Sequence, residues 1–226
     1  MEKFVTIRAK NGCLCDESLS FFWGTKFRSE LMFKTTALGY LVRLMGRSED
    51  WVVSIDEDAF VWDQEALDSL MEYMKENDYV FCGPSEWVRR RNPAVVNPFF
   101  MVLNVGFLRE LFDEDEMRAC VDFEEDMKRN LPERLLIEEA SYVTEEAYYS
   151  FFYWMLKKGV KTLYLDAERG IPGVEDGWAT VVKDHRGIEF MAHAWYSREY
   201  KTNPRRIDEL IEYARKRKEV TNDSNG

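Results

Sequence analysis

Asp56 and Asp58 stand two residues apart at the end of Val52-Val53-Ser54-Ile55, a β-branched apolar run that reads as a buried strand. Open α/β sheets bind their ligands beyond the carboxyl ends of their strands, so the pair stands where a ligand is expected. Carboxylate oxygens suit a hard cation such as Mg2+ or Mn2+, and such an ion holds phosphate or diphosphate in turn. Acidic pairs after strands also cap helices or solvate loops, so spacing alone leaves both readings open. A second feature lies far along the chain. His193 sits in the apolar and aromatic run Ala192-His193-Ala194-Trp195-Tyr196-Ser197-Arg198, either as a buried histidine bonded to backbone or as one more ligand. The other histidine, His185 in Asp184-His185-Arg186-Gly187, reads as a surface turn residue.

The elements that must position these residues follow from periodicity. A first strand is expected over 4–7, then a long irregular stretch over 9–28 whose Phe21, Phe22 and Trp23 can cover the core or stack on a base. Ala37, Leu38, Leu41, Val42 and Met45 recur at helical spacing over 34–45. After the acidic pair, Asp63 can cap a helix running to about Asn77, with Ala66, Leu67, Leu70, Met71 and Met74 as its inward face. Tyr79 to Cys82 reads as a buried strand ended by Gly83-Pro84. Strand, helix, strand in that order implies a parallel crossover and an α/β sheet. The apolar part of 97–104 enters the core as a strand, 107–129 reads as a helix with solvated acidic faces, and Thr144 can cap an apolar helix through Lys158. A short strand over 160–165, a glycine-rich loop over 170–178 and a last helix opened by Pro204 complete the chain. The division is one domain over 1–218 and a polar, disordered tail over 219–226.

Composition narrows the partners. With 31 basic and 42 acidic residues the formal charge is −11, which argues against a nucleic-acid backbone or an anionic membrane surface as main partner. Cys13, Cys15, Cys82 and Cys120 form no C-x-x-C pair, so a structural zinc site is not expected and reduced, cytosolic thiols are. No apolar run approaches a signal or membrane-spanning segment. The expectation is a cytoplasmic protein with no integral membrane association. Asn222-Asp223-Ser224 matches a glycosylation sequon, read as chance in a polar tail.

Asp56-Glu57-Asp58 and His193 together resemble the nucleotide-sugar-dependent glycosyltransferases of the GT-A fold. In that family a D-x-D after a core strand holds a divalent ion bridging the donor's diphosphate, and many members add a histidine from near the C-terminus. Asn97-Pro98-Phe99-Phe100 and the run from His193 to Arg198 look like features of small bacterial and viral members. The resemblance covers the order of elements over most of the chain. It implies a single-domain α/β GT-A-like fold with a Rossmann-like mixed central sheet flanked by helices. The activity implied is a hexosyl- or deoxyhexosyltransferase, using a nucleotide-diphosphate sugar (UDP first, by family frequency) and a glycan or other hydroxyl acceptor. Asp58 would bind Mn2+ or Mg2+ directly, with His193 completing the coordination. Asp56 would bind the donor ribose, or the metal through water, and Glu57 completes the donor-binding element.

A transferase of the inverting kind also needs a base for the acceptor hydroxyl. Glu145 and Glu146, before the apolar helix, resemble the acids that GT-A enzymes place there, with Glu146 favoured. Acids in a first helical turn are also stabilised by the macrodipole with no catalytic role. Arg198 is the first choice for gripping the diphosphate, ahead of Lys34, Arg8 and Arg89 to Arg91. Two rivals remain. A haloacid-dehalogenase-like phosphatase also works from D-x-D, with the first Asp as nucleophile, but Phe60 stands where that family usually has Thr or Val. Gly173-Val174-Glu175-Asp176-Gly177 also departs from its later acidic element. The other rival is a non-catalytic nucleotide- or carbohydrate-binding module.

Overall fold

Strand residues point alternately to opposite faces of a sheet, so a strand covered on both faces reads as a continuous apolar run. Val52 joins the apolar cluster on one face of the main sheet, while Val53 and Ile55 join the cluster on the other. The protein is described from a computed structural model, which covers residues 3–10, 12–22, 27–33, 36–171, 173–174 and 177–224. The chain runs β1 (Lys3–Ala9), α1 (Cys15–Ser20), β2 (Phe27–Phe33), α2 (Ala37–Met45), β3 (Trp51–Asp56) and β4 (Ala59–Val61). It continues with α3 (Gln64–Glu76), β5 (Phe81–Pro84), α4 (Trp87–Arg90), β6 (Phe100–Asn104), α5 (Val105–Leu111) and α6 (Glu114–Ala119). The last part is α7 (Tyr149–Lys157), β7 (Thr162–Leu165), β8 (Ala167–Arg169), β9 (Thr180–Lys183), β10 (Glu189–His193) and α8 (Arg205–Ser224).

Six strands form the central sheet in the order β2-β1-β3-β6-β5-β7. β1 is parallel to both β2 and β3, and β5 is parallel to β7. β6 runs antiparallel to its neighbours β3 and β5. The expected mixed α/β sheet flanked by helices is therefore present. One face packs against Tyr40, Leu41, Leu44 and Met45 of α2 and the aromatic residues of α7. The other packs against Ala66, Leu67, Leu70, Met71 and Met74 of α3, the inward face that periodicity had marked. Thr6 and Ser54 lie side by side on β1 and β3. The buried Tyr40 hydroxyl reaches both, at 2.5 and 2.8 Å, so α2 is fixed to the sheet by hydrogen bonds as well as packing.

A second sheet, β4-β10-β9-β8, is antiparallel throughout. Ile207, Leu210, Ile211 and Ala214 of α8 cover it together with Phe60, Trp62 and Ala192. Each of the three larger aliphatic side chains contributes roughly 2 kcal/mol on burial. Because β4 follows β3 after a two-residue turn, the small sheet stands directly against the carboxyl end of β3.

Several boundaries differ from expectation for local reasons. The region 107–129 is not one helix: Asn104 caps α5, and the Asp113 carboxylate accepts the Glu116 N–H at 2.9 Å to start α6. A 3-10 turn follows over Glu125–Asn130. Thr144 does not cap α7, which starts at Tyr149; its hydroxyl bonds to the Val121 carbonyl instead. β2 falls partly in a stretch that sequence reading left irregular. α8 runs to Ser224, through residues assigned to a disordered tail. Asp63 does cap α3, accepting from the Ala66 N–H at 2.8 Å. Among the described residues no helix is long and apolar enough to cross a membrane.

Candidate metal and donor site

Strand register brings the site together. Arg8 on β1 is the neighbour of Asp56, the last residue of β3, and its guanidinium grips the carboxylate with Nε and Nη2 each at 2.6 Å. Burial alone would weaken the Arg8 guanidinium's hold on its proton, but Asp56 outweighs it and keeps the group firmly charged. On the small sheet, β10 pairs with β4 so that His193 lies opposite Ala59, the residue after Asp58. His193 Nε2 stands 3.1 Å from Asp58 Oδ1, while Asp58 Oδ2 accepts the Ser197 N–H at 3.0 Å. Burial pushes the Asp58 carboxyl up, yet His193 and the backbone N–H groups prevail and hold it below the ordinary carboxylate range. Residues 135 apart in sequence thus share one strand end.

Asp56, Asp58 and His193 each bring one ligand atom within 4.8 Å of the others. The set is two carboxylates and an imidazole, the hard and borderline donors that Mn2+ accepts at least as readily as Mg2+. The His193 ring is held by stacking: Phe99 lies parallel at 4.2 Å and Trp195 meets it edge-on at 4.6 Å. Its Nε2 faces Asp58, while its Nδ1 is buried and without a hydrogen-bond partner. The bland alternative, a histidine satisfied by backbone, is not what the geometry shows.

Glu57, the middle acid, is 1% exposed and serves the loops. It accepts the backbone N–H groups of Lys10 and Gly12 at 3.1 and 2.7 Å and the Ser197 hydroxyl at 2.7 Å. These bonds tie the loop after β1 to the turn after β10, and Glu57 still borders the cleft. That cleft has a volume of about 350 Å³. It is lined by Arg8, Lys10 and Thr36 together with Arg89, Glu146, Tyr148 and Tyr196. Arg198 also lines it, with its guanidinium 5.5 Å over the Tyr196 ring. Lys34 lies outside the described residues.

Glu145 and Glu146 precede α7 rather than opening it. Both pair with Arg90, Glu146 at 2.7 Å, and Arg89 lies 3.8 Å from Glu146. Glu146 faces the cleft with 35% of its side chain exposed. Sequence reading missed the residue beneath them, Glu86. It is fully buried, 3.5 Å from Arg89 and 3.9 Å from Arg90, and accepts a hydrogen bond from Asn97 Nδ2. Burial raises its carboxyl to about 7 against the pull of the arginines and Asn97. Nothing in Gly83-Pro84-Ser85-Glu86 signals this, since its partners come from two other segments. Asn97-Pro98-Phe99-Phe100 has a physical reading as well: Asn97 holds Glu86 and Phe99 stacks on His193.

Neither a protein-family model nor a curated protein sequence matches the chain. Solved structures similar to it include A197 from STIV, at 10% identity and a TM-score of 0.42 over 83% of this chain and 93% of that one. Another is the mannosyltransferase PcManGT from Pyrobaculum calidifontis in complex with GDP-Man and Mn2+, at 13% identity and a TM-score of 0.37. That match covers 65% of this chain and 55% of the mannosyltransferase. The galactosyltransferase LgtC, solved with donor and acceptor sugar analogs, matches at 11% identity and a TM-score of 0.38, covering 74% of this chain and 73% of that one. Two of these three are named as glycosyltransferases. At such scores the chemistry has to be read from the site itself.

Proposed function

We propose that residues 1–218 form a metal-dependent glycosyltransferase domain that moves a sugar from a nucleotide-diphosphate donor to a hydroxyl of a glycan acceptor. The observation that carries the reading is the convergence of Asp56, Asp58 and His193 within 4.8 Å at the open end of the main sheet. Asp58 and His193 would hold a divalent cation directly, with Asp56 reaching it through water or binding the donor ribose. Such an ion supplies Lewis-acid chemistry, neutralising the diphosphate as negative charge gathers on the leaving group.

The chain's own groups do the rest. Arg8 fixes Asp56 in one rotamer, and the Ser197 N–H and His193 fix Asp58, so the donor meets a site already ordered. Glu57 holds the loop after β1 against the turn that carries Ser197 and Arg198. Arg198 reaches the diphosphate from the rim, where a guanidinium fork suits paired phosphate oxygens. Glu146 takes the acceptor's proton as its hydroxyl attacks the anomeric carbon. UDP is the first base to try, beside GDP.

The phosphatase reading is disfavoured by the same geometry. Its nucleophile would be Asp56, whose two oxygens both lie in the Arg8 fork at 2.6 Å, and lone pairs engaged there are poor at in-line attack. The test is a panel of UDP-, GDP- and other nucleotide sugars with Mn2+, with and without chelator. Metal-dependent binding with transfer or slow hydrolysis of one donor is expected, and Asp58→Ala should abolish donor binding while the protein stays folded. No metal-dependent binding or turnover with any donor sinks the proposal. Binding without turnover would favour the non-catalytic module, and phosphate release from simple monoesters the phosphatase.

A further inference from the structure

Tyr196 lines the cleft, and against it stands Trp178, which the donor chemistry does not use. Trp178 and Tyr196 remain 48% and 36% exposed and meet edge to face at 6.1 Å and 83°. Each ring carries a guanidinium: Arg169 lies 4.6 Å from the Trp178 centroid, and Arg198 lies 5.5 Å from that of Tyr196. Stacked in this way, an arginine is held by its flat face while the N–H groups at its edge stay available.

The backbone is strained to keep the platform in place. Trp195 and Tyr196 have φ of 57° and 60°, two successive non-glycine residues in the left-handed region, which persists only when surrounding bonds enforce it. Arg206 donates to the carbonyls of Ala194 and Trp195, both at 2.6 Å, and Trp195 Nε1 donates to Thr180 Oγ1 at 2.8 Å. The result turns Tyr196 toward the cleft rather than into the core.

Charge says what the platform is for. In a chain of net charge −11, Arg89 and Arg198 line the cleft, and Arg169 lies near enough to Arg89 to feel its charge. Among the described residues Arg169 and Arg198 make cation–π contacts rather than ion pairs. The Arg169 guanidinium holds its proton less firmly than usual, because burial and the nearby Arg89 outweigh the opposing pull of Tyr196 and Glu86. Arg89 is already paired with Glu86 and Glu146, whereas the two arginines on the rings have no carboxylate at ion-pair distance among the described residues, and a cation so placed can take an anion from outside. Its position follows from topology. Arg169 ends β8 and pairs in register with Thr180 of β9, and β8 packs against α4, which carries Arg89.

We infer that Arg169, Trp178 and Tyr196 form an acceptor subsite for an acidic sugar, its carboxylate on the Arg169 fork and its ring against the aromatic pair. The acceptor role rests on the transferase reading above; the preference for an acidic sugar is measured independently of it.

The experiment uses the full chain with chelator present and no nucleotide, and compares a glucuronate-terminated trisaccharide with its glucose-terminated counterpart by calorimetry. The acidic trisaccharide should bind about tenfold more tightly, as expected for one charge-assisted pair, with the preference shrinking as salt rises. Arg169→Gln should remove the preference without lowering the melting temperature, and Trp178→Ala should weaken both trisaccharides. Equal affinities, no binding of either sugar, or a preference that survives Arg169→Gln would overturn the inference. So would an equal loss of Mn2+-dependent UDP or GDP binding in Arg169→Gln, which would place the arginine on the donor. Failure of the transferase reading has a different signature: no metal-dependent nucleotide binding by the unaltered chain, with the acidic preference intact and the site standing as a binding site alone.

Discussion

Glu86→Gln tests whether the wall of the cleft is built on a carboxyl that ionises at a cost. Glu86 is fully buried, and its Oε1 has no hydrogen-bond partner. Burial raises it from 4.5 to about 7, against the opposing pull of Arg89, Asn97, Arg90 and Tyr148, which favour its charged form. At about 1.4 kcal/mol per decade of proton affinity, that rise amounts to about 3 kcal/mol. The sign follows from proton binding. Between pH 4.5 and 7 the folded protein keeps a proton that the unfolded chain has lost, so stability from this group is full below 4.5 and is lost as pH climbs to 7. Glutamine has the shape of the protonated acid and does not titrate. Relative to the unaltered chain, Glu86→Gln should therefore gain about 3 kcal/mol of stability between pH 4.5 and pH 8. Urea unfolding of both proteins at several pH values in that window measures the difference directly. Parallel pH profiles for the two proteins would refute the reasoning, and a gain that grows toward low pH would reverse its sign.

Other substitutions probe the frame. His193→Ala should weaken Mn2+ binding by at least tenfold, the usual scale for losing a metal ligand or its support, measured by competition with a fluorescent chelator; unchanged affinity would remove His193 from the site. Gly83→Ala would set a Cβ 2.4 Å from Val96 Cγ1 and 2.6 Å from the Phe100 carbonyl oxygen, and should cost roughly 1–3 kcal/mol as the strands are forced apart. A melting temperature equal to that of the unaltered chain would contradict it. Tyr40→Phe leaves the buried Thr6 and Ser54 hydroxyls facing a hydrocarbon edge and should cost about 1–3 kcal/mol in denaturant melts.

The parts of the fold legible in sequence are those set by short-range pattern. The inward face of α3, its Asp63 cap and the burial of β3 all follow from spacing within one segment, and the structure keeps them. The acidic pair was legible for the same reason, as two residues on one strand end. Misreadings cluster where a distant partner decides. Thr144 has the chemistry of a helix cap, but Val121 claims its hydroxyl. A single amphipathic stretch over 107–129 breaks because Asp113 offers a better cap than continuing the helix. Glu86 was invisible because an isolated glutamate after a turn looks solvated, and only the return of Asn97 and the α4 arginines buries it. His193 stood out by rarity, yet its meeting with Asp58 depends on the β4–β10 register, which no local pattern specifies.

Asp56-Glu57-Asp58 shows why three acids in a row need not repel the fold apart. A strand end splays successive side chains to different sides, so each meets its own counterweight. Asp56 faces a charged guanidinium, Glu57 faces two backbone N–H groups and a hydroxyl, and Asp58 faces an imidazole and one N–H. The three solutions differ in what they leave over. Glu57 is fully committed to protein donors and fixes two loops from the inside. Asp58 lines the cleft and brings a ligand atom within 4.8 Å of those of Asp56 and His193. Residual acceptor capacity in a closely packed polar cluster is expensive unless a ligand uses it. The ligand atoms of Asp56, Asp58 and His193 gather at one strand end beside a cleft of about 350 Å³ that Arg89 and Arg198 also line, and this is the physical ground for reading the strand end as a donor site.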